Sequence, residues 1–264
     1  MLPRTSITKC EGADFLLFSS ADLINNTLFS TGKWEDHILF ISKFLLKGIP
    51  NPTVLDIGAN LGAYSIPLAN HLLEVGGNVI AFEPQRIVYY QLCSNIILNR
   101  LDNFIATNAA VGEYDGFIEI PDSEIENNYN IGGFSIEKNV RSSLGIEVFS
   151  KPLTYQVQML CLNNFQINQS PSLIKIDVEG YELNVLKGSL DFLTKHNFPP
   201  ILFEAWSLSW FENSKNELFE FINLAGYQIT HIDKDDYIAQ HPLNEVQISI
   251  NKGSNDMLNI EKVR

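Results

Sequence analysis

The chain has 264 residues, 45% hydrophobic and 19% charged, which suits one sizeable domain whose core needs no disulfide or metal staple. Thirty-one acidic against eighteen basic residues give a net charge of −13 with no Lys/Arg cluster, which argues against nucleic acid as a partner. Cys10, Cys93 and Cys161 form no CxxC pair, which excludes a zinc knuckle or a disulfide framework.

In chain order, residues 1–50 show no basic segment leading into an apolar one, as a secretory signal would require. No apolar run reaches membrane-spanning length, so a cytoplasmic protein without a membrane partner is expected. This first stretch reads as an N-terminal cap or extension, with an amphipathic helix from Glu35 to Lys47. From residue 51 to 250, short apolar runs alternate with helical patterns, the rhythm of a mostly parallel α/β sheet flanked by helices. Val54 to Ile57 is a buried strand closed by Gly58. A helix beyond Gly62 carries Ala69, Leu72 and Leu73 on one face, and Pro67 either kinks it or sits in its opening turns. Asn78 to Phe82 is the next strand, Gln85 to Asn99 a helix, and Phe104 to Asn108 a third strand.

The rhythm breaks from Val111 to Pro152. Asn127-Asn128, Gly132-Gly133 and Ser142-Ser143 punctuate a β-type insertion with a short strand at Phe117 to Ile120. Gln156 to Leu162 is a strand approaching the core, and Leu173 to Asp177 resumes the sheet. One helix follows, with Leu183, Leu186, Leu190 and Leu193 as its stripe, and then the strand Ile201 to Glu204. Asn213 to Leu224 is a helix stopped near Gly226. Gln228 to Ile232 and Val246 to Ile250 are the final strands, and residues 251–264 a polar, frayed tail. His231 and His241 are read as surface histidines.

Three motifs carry chemistry. In Val54-Leu55-Asp56-Ile57-Gly58-Ala59-Asn60-Leu61-Gly62 a strand enters a glycine turn before a helix, so backbone N–H groups are expected to converge on a ligand. Gly58 and Gly62 are four apart and no third glycine follows, which differs from the dinucleotide fingerprint GxGxxG. A ligand with a carboxylate and an ammonium needs fewer amides than a pyrophosphate, plus an acid, which Asp56 offers. In Phe82-Glu83-Pro84 an acid ends the second strand, where it can bind both hydroxyls of a ribose. In Leu173-Ile174-Lys175-Ile176-Asp177-Val178-Glu179-Gly180-Tyr181-Glu182, Asp177 and Glu179 fall on one side while the chain stays extended. So many charges at a core strand's tip are costly unless paired or used; a structural ion pair centred on Lys175, with Glu182 opening a helix, is the competing explanation. Glu204, before Ala205-Trp206, ends the neighbouring strand.

Together these residues resemble the FkbM family of S-adenosylmethionine-dependent methyltransferases. The resemblance rests on Val54 to Gly62, Ala81-Phe82-Glu83-Pro84, Asn95 with Leu98-Asn99, Ile174 to Glu182 with Val185-Leu186-Lys187-Gly188, Ile201 to Glu204, and Gly32-Lys33-Trp34-Glu35. It covers roughly residues 30 to 205, and the Asp-Val-Glu-Gly-x-Glu block is its most specific part. The chain departs at Cys161-Leu162-Asn163, where the family reads Thr-Leu-Asp, so Asn163 receives no role.

The resemblance implies a Rossmann-like class I methyltransferase fold, with a seven-stranded, mostly parallel sheet whose last strand is antiparallel. It implies S-adenosylmethionine as cofactor, held by Glu35, Asp56, Gly58, Ala59, Asn60, Gly62, Glu83, Pro84, Asn108, Ala109 and Asp177. It implies O-methylation of a small-molecule, sugar or peptide acceptor, in the manner of natural-product biosynthesis. Glu179 and Glu204, then Asp177, are the candidate general bases. The same three acids could gather an oxygen-ligand cation such as Mg²⁺, yet their presence establishes no ligand geometry, and no metal is expected. Two other readings share part of the pattern: an NAD-dependent oxidoreductase, disfavoured by the missing glycine, and a non-catalytic module that binds an adenosyl ligand.

Overall fold

The computed structural model describes residues 4–10, 12–20, 22–121, 131, 133, 135–143, 154–252 and 258–263. Strands β1 (Thr5–Cys10) and β2 (Ala13–Phe18) form an antiparallel hairpin, its turn made by Gly12 at φ 80°. The sequence reading missed both strands and the helix α1 (Leu23–Thr31), whose N-cap Asp22 accepts the Asn25 N–H at 3.0 Å. Helix α2 (Asp36–Leu46) fills the predicted amphipathic stretch and buries Ile38, Ile41 and Leu45. Then β3 (Thr53–Ile57), α3 (Ser65–Leu73), β4 (Asn78–Phe82), α4 (Arg86–Leu98) and β5 (Phe104–Thr107) follow as expected, with Pro67 in the first turn of α3.

Within the predicted insertion lie β7 (Gly116–Pro121) and α5 (Lys138–Ser143), flanked by β6 (Ala109–Val111) at its start and β8 (Thr154–Leu160) just past its end. Its Asn127-Asn128 stretch and residues 144–153 lie outside the described residues. Strand β8, the strand expected to approach the core, buries Val157 and Met159 in it while pairing between β6 and β7 in a separate three-stranded sheet. After a 3₁₀ turn at Leu162–Asn164 come β9 (Leu173–Ile176), α6 (Glu182–Lys187), α7 (Leu190–Lys195), β10 (Ile201–Glu204) and α8 (Glu212–Leu224). The single helix read across Leu183 to Leu193 is thus two. It breaks at Gly188, where a Cβ would lie 2.0 Å from the Gly112 carbonyl oxygen, and Leu190 is left 40% exposed.

Strands β11 (Gln228–Asp233) and β12 (Asp236–Gln240) complete a seven-stranded sheet of order β11-β12-β10-β9-β3-β4-β5. As expected, the last strand to join it runs antiparallel to its neighbours, but it is Asp236–Gln240 rather than Val246 to Ile250. The latter stretch overlaps β13 (Ile248–Lys252), which pairs with β14 (Leu258–Lys262) in a hairpin drawn from the supposedly frayed tail. His231 is exposed, whereas His241 is buried and stacked 3.9 Å from Phe198, so its surface reading is corrected. Among the described residues no helix is long and apolar enough to cross a membrane.

Strand alternation divides the core in two. Val54, Leu173 and Leu202 join the cluster with α2 and α3, while Leu55, Ile57, Ile174, Ile176, Ile201 and Phe203 join the cluster with α6 and α8. That period-two pattern puts Asp56, Lys175 and Glu204 on the α2 and α3 side. The register reinforces it: Asp56 pairs with Lys175, Lys175 with Leu202, and Glu204 with Asp236. From β3 the chain runs outward to β4 and β5, then returns to β9 on β3's other flank. The reversal opens a crevice at the strands' C-terminal ends.

Candidate active site

A cavity of about 250 Å³ occupies that crevice, lined by Glu35, Asp56, Gly58, Ala59, Asn60, Lys175, Asp177, Glu179 and Glu204, with Trp34, Tyr64 and Trp206 among its walls. A smaller one of about 30 Å³ is lined by Glu83, Pro84, Ala109 and Ile136 among others, and shares Gly58, Asp177 and Glu179 with the first. Two cofactor-site candidates line neither. Gly62, at φ 89°, is a packing point where a Cβ would lie 2.6 Å from Ile66 and 2.8 Å from Leu92. The Asn108 amide donates to the carbonyls of Glu83 and Pro84 at 2.8 and 3.0 Å, fixing the loop that carries them.

The glycine turn works by shape rather than by free donors. Gly58 and Ala59 both donate to the Phe82 carbonyl at 3.0 Å, Asn60 donates to Glu83 Oε2 at 2.9 Å, Leu61 to Asn60 Oδ1, and Gly62 to the Ala59 carbonyl. Every N–H from Gly58 to Gly62 is therefore used within the protein, which corrects the expectation of an amide cradle. What Gly58 supplies is proximity: at φ 88°, a Cβ there would lie 1.8 Å from the Asp177 carbonyl oxygen. The tips of β3 and β9 meet because this residue has no side chain.

Each acid has its own setting. Glu83 accepts from Asn60 and, through Oε1, from Gln85 at 2.8 Å; burial raises its pKa to about 7 against the pull of those bonds. Asp56 is 1% exposed, and neither of its oxygens has a hydrogen-bond partner among the described residues. The buried Ser65 hydroxyl that faces it is likewise outside hydrogen-bond geometry. Burial raises the Asp56 pKa to about 6, although Lys175 opposes the shift.

Asp177 and Glu179 share the cavity for a different reason from the one expected. Strand β9 stops at Ile176, and Glu179 turns the chain back at φ 55° before Gly180. Glu182 accepts from the Val178 and Gly180 N–H groups at 3.1 and 3.2 Å, clamping that loop, so its helix-start position is structural. Asp177 takes an ion pair from Lys175 at 2.8 Å, with Glu35 3.8 Å from the same ammonium. Burial alone would lower the Lys175 pKa, but Asp177, Glu35 and Asp56 raise it well above the usual value. Burial first, and then Asp177 and other acids, raise Glu179 strongly and Glu204 to about 10. The Trp206 indole donates to Glu204 at 2.8 Å.

Lys175, Tyr64 and Trp206 were not predicted as site residues. The signal for Lys175 was present, since a lysine inside the apolar run Leu-Ile-Lys-Ile needs a buried anion beside it. Asn163 is structural: its Oδ1 accepts the Phe192 N–H at 3.0 Å. Among the described residues no group of three or more His, Cys, Asp or Glu is arranged to hold a metal ion.

The residues present fit an adenosyl sulfonium carrying an amino acid. The orphaned Asp56 carboxylate suits an ammonium, and each Glu83 oxygen keeps a lone pair for a hydroxyl. Carboxylates line the junction between the two cavities.

Comparison with solved structures finds methyltransferases. An FkbM methyltransferase from Methylobacillus flagellatus KT is 18% identical over 73% of this chain, with a TM-score of 0.45. This chain covers 45% of that protein's length. A SAM-dependent O-methyltransferase from Thermotoga maritima is 9% identical over 98% of this chain and 71% of its own, with a TM-score of 0.47. A 16S rRNA methyltransferase from T. thermophilus is 14% identical over 91% of this chain and 51% of its own, with a TM-score of 0.44. No curated protein sequence matches significantly. Residues 56–229, well over half of the chain, match the Methyltransferase FkbM domain. By that match the chain belongs to the FkbM methyltransferase family, whose cofactor is S-adenosylmethionine.

Proposed function

We propose that this protein methylates a hydroxyl or carboxylate oxygen on a small-molecule, sugar or peptide acceptor, and not a nucleic acid. The observation that supports this reading best is one cavity combining an orphaned buried acid, Asp56, with the strand-tip acids Asp177, Glu179 and Glu204. S-adenosylmethionine supplies an electrophilic methyl group on a positively charged sulfur. Glu35, Asp56, Gly58 to Asn60, Glu83, Pro84, Ala109 and Asp177 are the residues proposed to hold it. Asp177, pinned by Lys175, is suited to orienting, whereas Glu179 and Glu204 are suited to taking a hydroxyl proton. A carboxylate acceptor needs no base, and the two glutamates then only orient it. Alignment of the acceptor is the other main contribution of such a site, worth roughly 7–11 kcal/mol in favourable cases. Trp34 and Trp206 offer apolar walls, and Ile136 of the insertion reaches the smaller cavity, so the insertion is proposed to face the acceptor. Among the described residues the cavity is lined by five acids and one lysine, which offers no basic groove to a phosphate backbone.

The test is incubation with labelled S-adenosylmethionine and cell extract, followed by mass spectrometry of the labelled products. Label on nitrogen, carbon or RNA, with none on oxygen, refutes the proposal. Two substitutions probe the parts. Glu83→Ala is expected to weaken S-adenosylmethionine binding about tenfold or more in calorimetry. Glu83→Gln, which keeps an acceptor oxygen, should lose less; affinity unchanged in both removes the ribose role. With an acceptor in hand, Glu179→Gln is expected to lower kcat by about 10²-fold, a larger change than it makes in cofactor affinity. Wild-type kcat in that variant removes Glu179 from the chemistry.

A further inference from the structure

The main cavity holds far more acidic than basic groups among the described residues. Glu35, Asp56, Asp177, Glu179 and Glu204 line it, and among the described residues Lys175 is the one basic residue beside them. Lys175 is committed to Asp177, with Glu35 next nearest, which leaves Asp56 buried and without a hydrogen bond among the described residues. A buried carboxylate in that position either keeps a proton or meets a cation. A ligand that spans both cavities passes their shared residues Asp177 and Glu179 with its middle. The cofactor and its demethylated product differ there by one methyl group and one positive charge.

We infer that this carboxylate ring distinguishes the sulfonium cofactor from its neutral thioether product by charge, giving up a proton as the cofactor binds. The inference rests on the methyltransferase reading and adds the residues that select the charged form. Other titratable groups surround the ring. His37 on α2 is paired with Asp236 of β12 at 2.7 Å, Tyr64 lies beneath Lys175, Glu83 ends β4, and Glu182 opens α6. None brings a second buried ammonium to the cavity. Burial, opposed by Lys175, raises Glu35 to about 7, and burial followed by the neighbouring acids raises Glu204 to about 10, so protons are present to be displaced at neutral pH.

A cation placed beside such acids lowers their pKa, so binding releases a proton and affinity rises with pH. The carboxylate ionised in this way is the one able to accept a proton from an acceptor hydroxyl. As the oxygen–methyl bond forms and the carbon–sulfur bond breaks, its electron pair stays on sulfur and the ring regains the proton it lost.

Calorimetry of the full chain tests this with three probes: S-adenosylmethionine, S-adenosylhomocysteine, and sinefungin, whose amine replaces the sulfonium. Each is titrated at about pH 6 and about pH 7.5, in two buffers of different ionisation enthalpy. The two cationic probes are expected to release close to one more proton than the thioether. Their affinity relative to it should rise about tenfold across that interval. Glu204→Gln and, independently, Glu35→Gln should shrink the difference. Equal proton counts and equal pH slopes for S-adenosylmethionine and S-adenosylhomocysteine overturn the inference while leaving the methyltransferase reading in place. Failure of all three to bind overturns both.

Discussion

Lys175→Met is expected to destabilise the protein by about 3–5 kcal/mol and to abolish S-adenosylmethionine binding. The methionine keeps most of the stem, so lost packing is a minor part of the effect. What disappears is the cation 2.8 Å from Asp177 and 3.8 Å from Glu35, which is also the cross-strand neighbour of Asp56. With Lys175 only 8% exposed in its side chain, water cannot take its place. For a chain of this length such a loss lowers Tm by about 10 °C, measurable by thermal denaturation. A second change, Asp177→Asn, should restore part of the stability, because it removes one of the acids left uncompensated. A Tm within about 2 °C of wild type for Lys175→Met shows that the ammonium does not hold the site together.

The second large effect concerns pH. In the ligand-free protein, stability is expected to fall by several kcal/mol between about pH 5 and about pH 8. Burial raises the folded-state pKa of Glu35, Glu83 and Glu182 from 4.5 to about 7, and that of Asp56 from 3.8 to about 6. An acid that binds its proton more tightly when folded favours the folded state at low pH. That contribution is complete below the unfolded pKa and is lost as pH climbs through the folded one. The window therefore opens near 4.5 and closes just above 7 for the three glutamates. Saturating S-adenosylmethionine should flatten the upper part of the curve. A ligand-free Tm that is level or rising across the interval contradicts the prediction.

Much of the sheet was legible because its parallel strands are buried on both faces and read as unbroken apolar runs, as Asn78–Phe82 and Ile201–Glu204 do. Strand β12 was not. Asp-Tyr-Ile-Ala-Gln is short and opens on an acid, and Val246 to Ile250 offered a stronger alternation for a place it does not fill. The leucine stripe across α6 and α7 misled because periodicity says nothing of a backbone from elsewhere pressing on Gly188. At the site, the strand-tip acids Asp56, Glu83 and Glu204 followed from position alone. Glu35 did not, since it reaches the cavity from the start of α2 and only the Gly-Lys-Trp-Glu resemblance pointed to it. An ion pair centred on Lys175 was anticipated as a structural alternative, without Asp177 as its partner. That it stands inside the cavity depends on the register of β3 against β9, which no local pattern reveals.

Three residues lining the main cavity, Glu35, Asn60 and Glu179, have backbone φ of 49°, 52° and 55°, values that favour glycine or asparagine. Holding a glutamate there costs on the order of 1 kcal/mol each. Directed evolution for heat resistance alone would therefore drift toward Gly or Asn at 35 and 179, raising the melting point as it erased the acids. A library selected for thermostability and screened afterwards for function should show those two positions as the point where the two aims part.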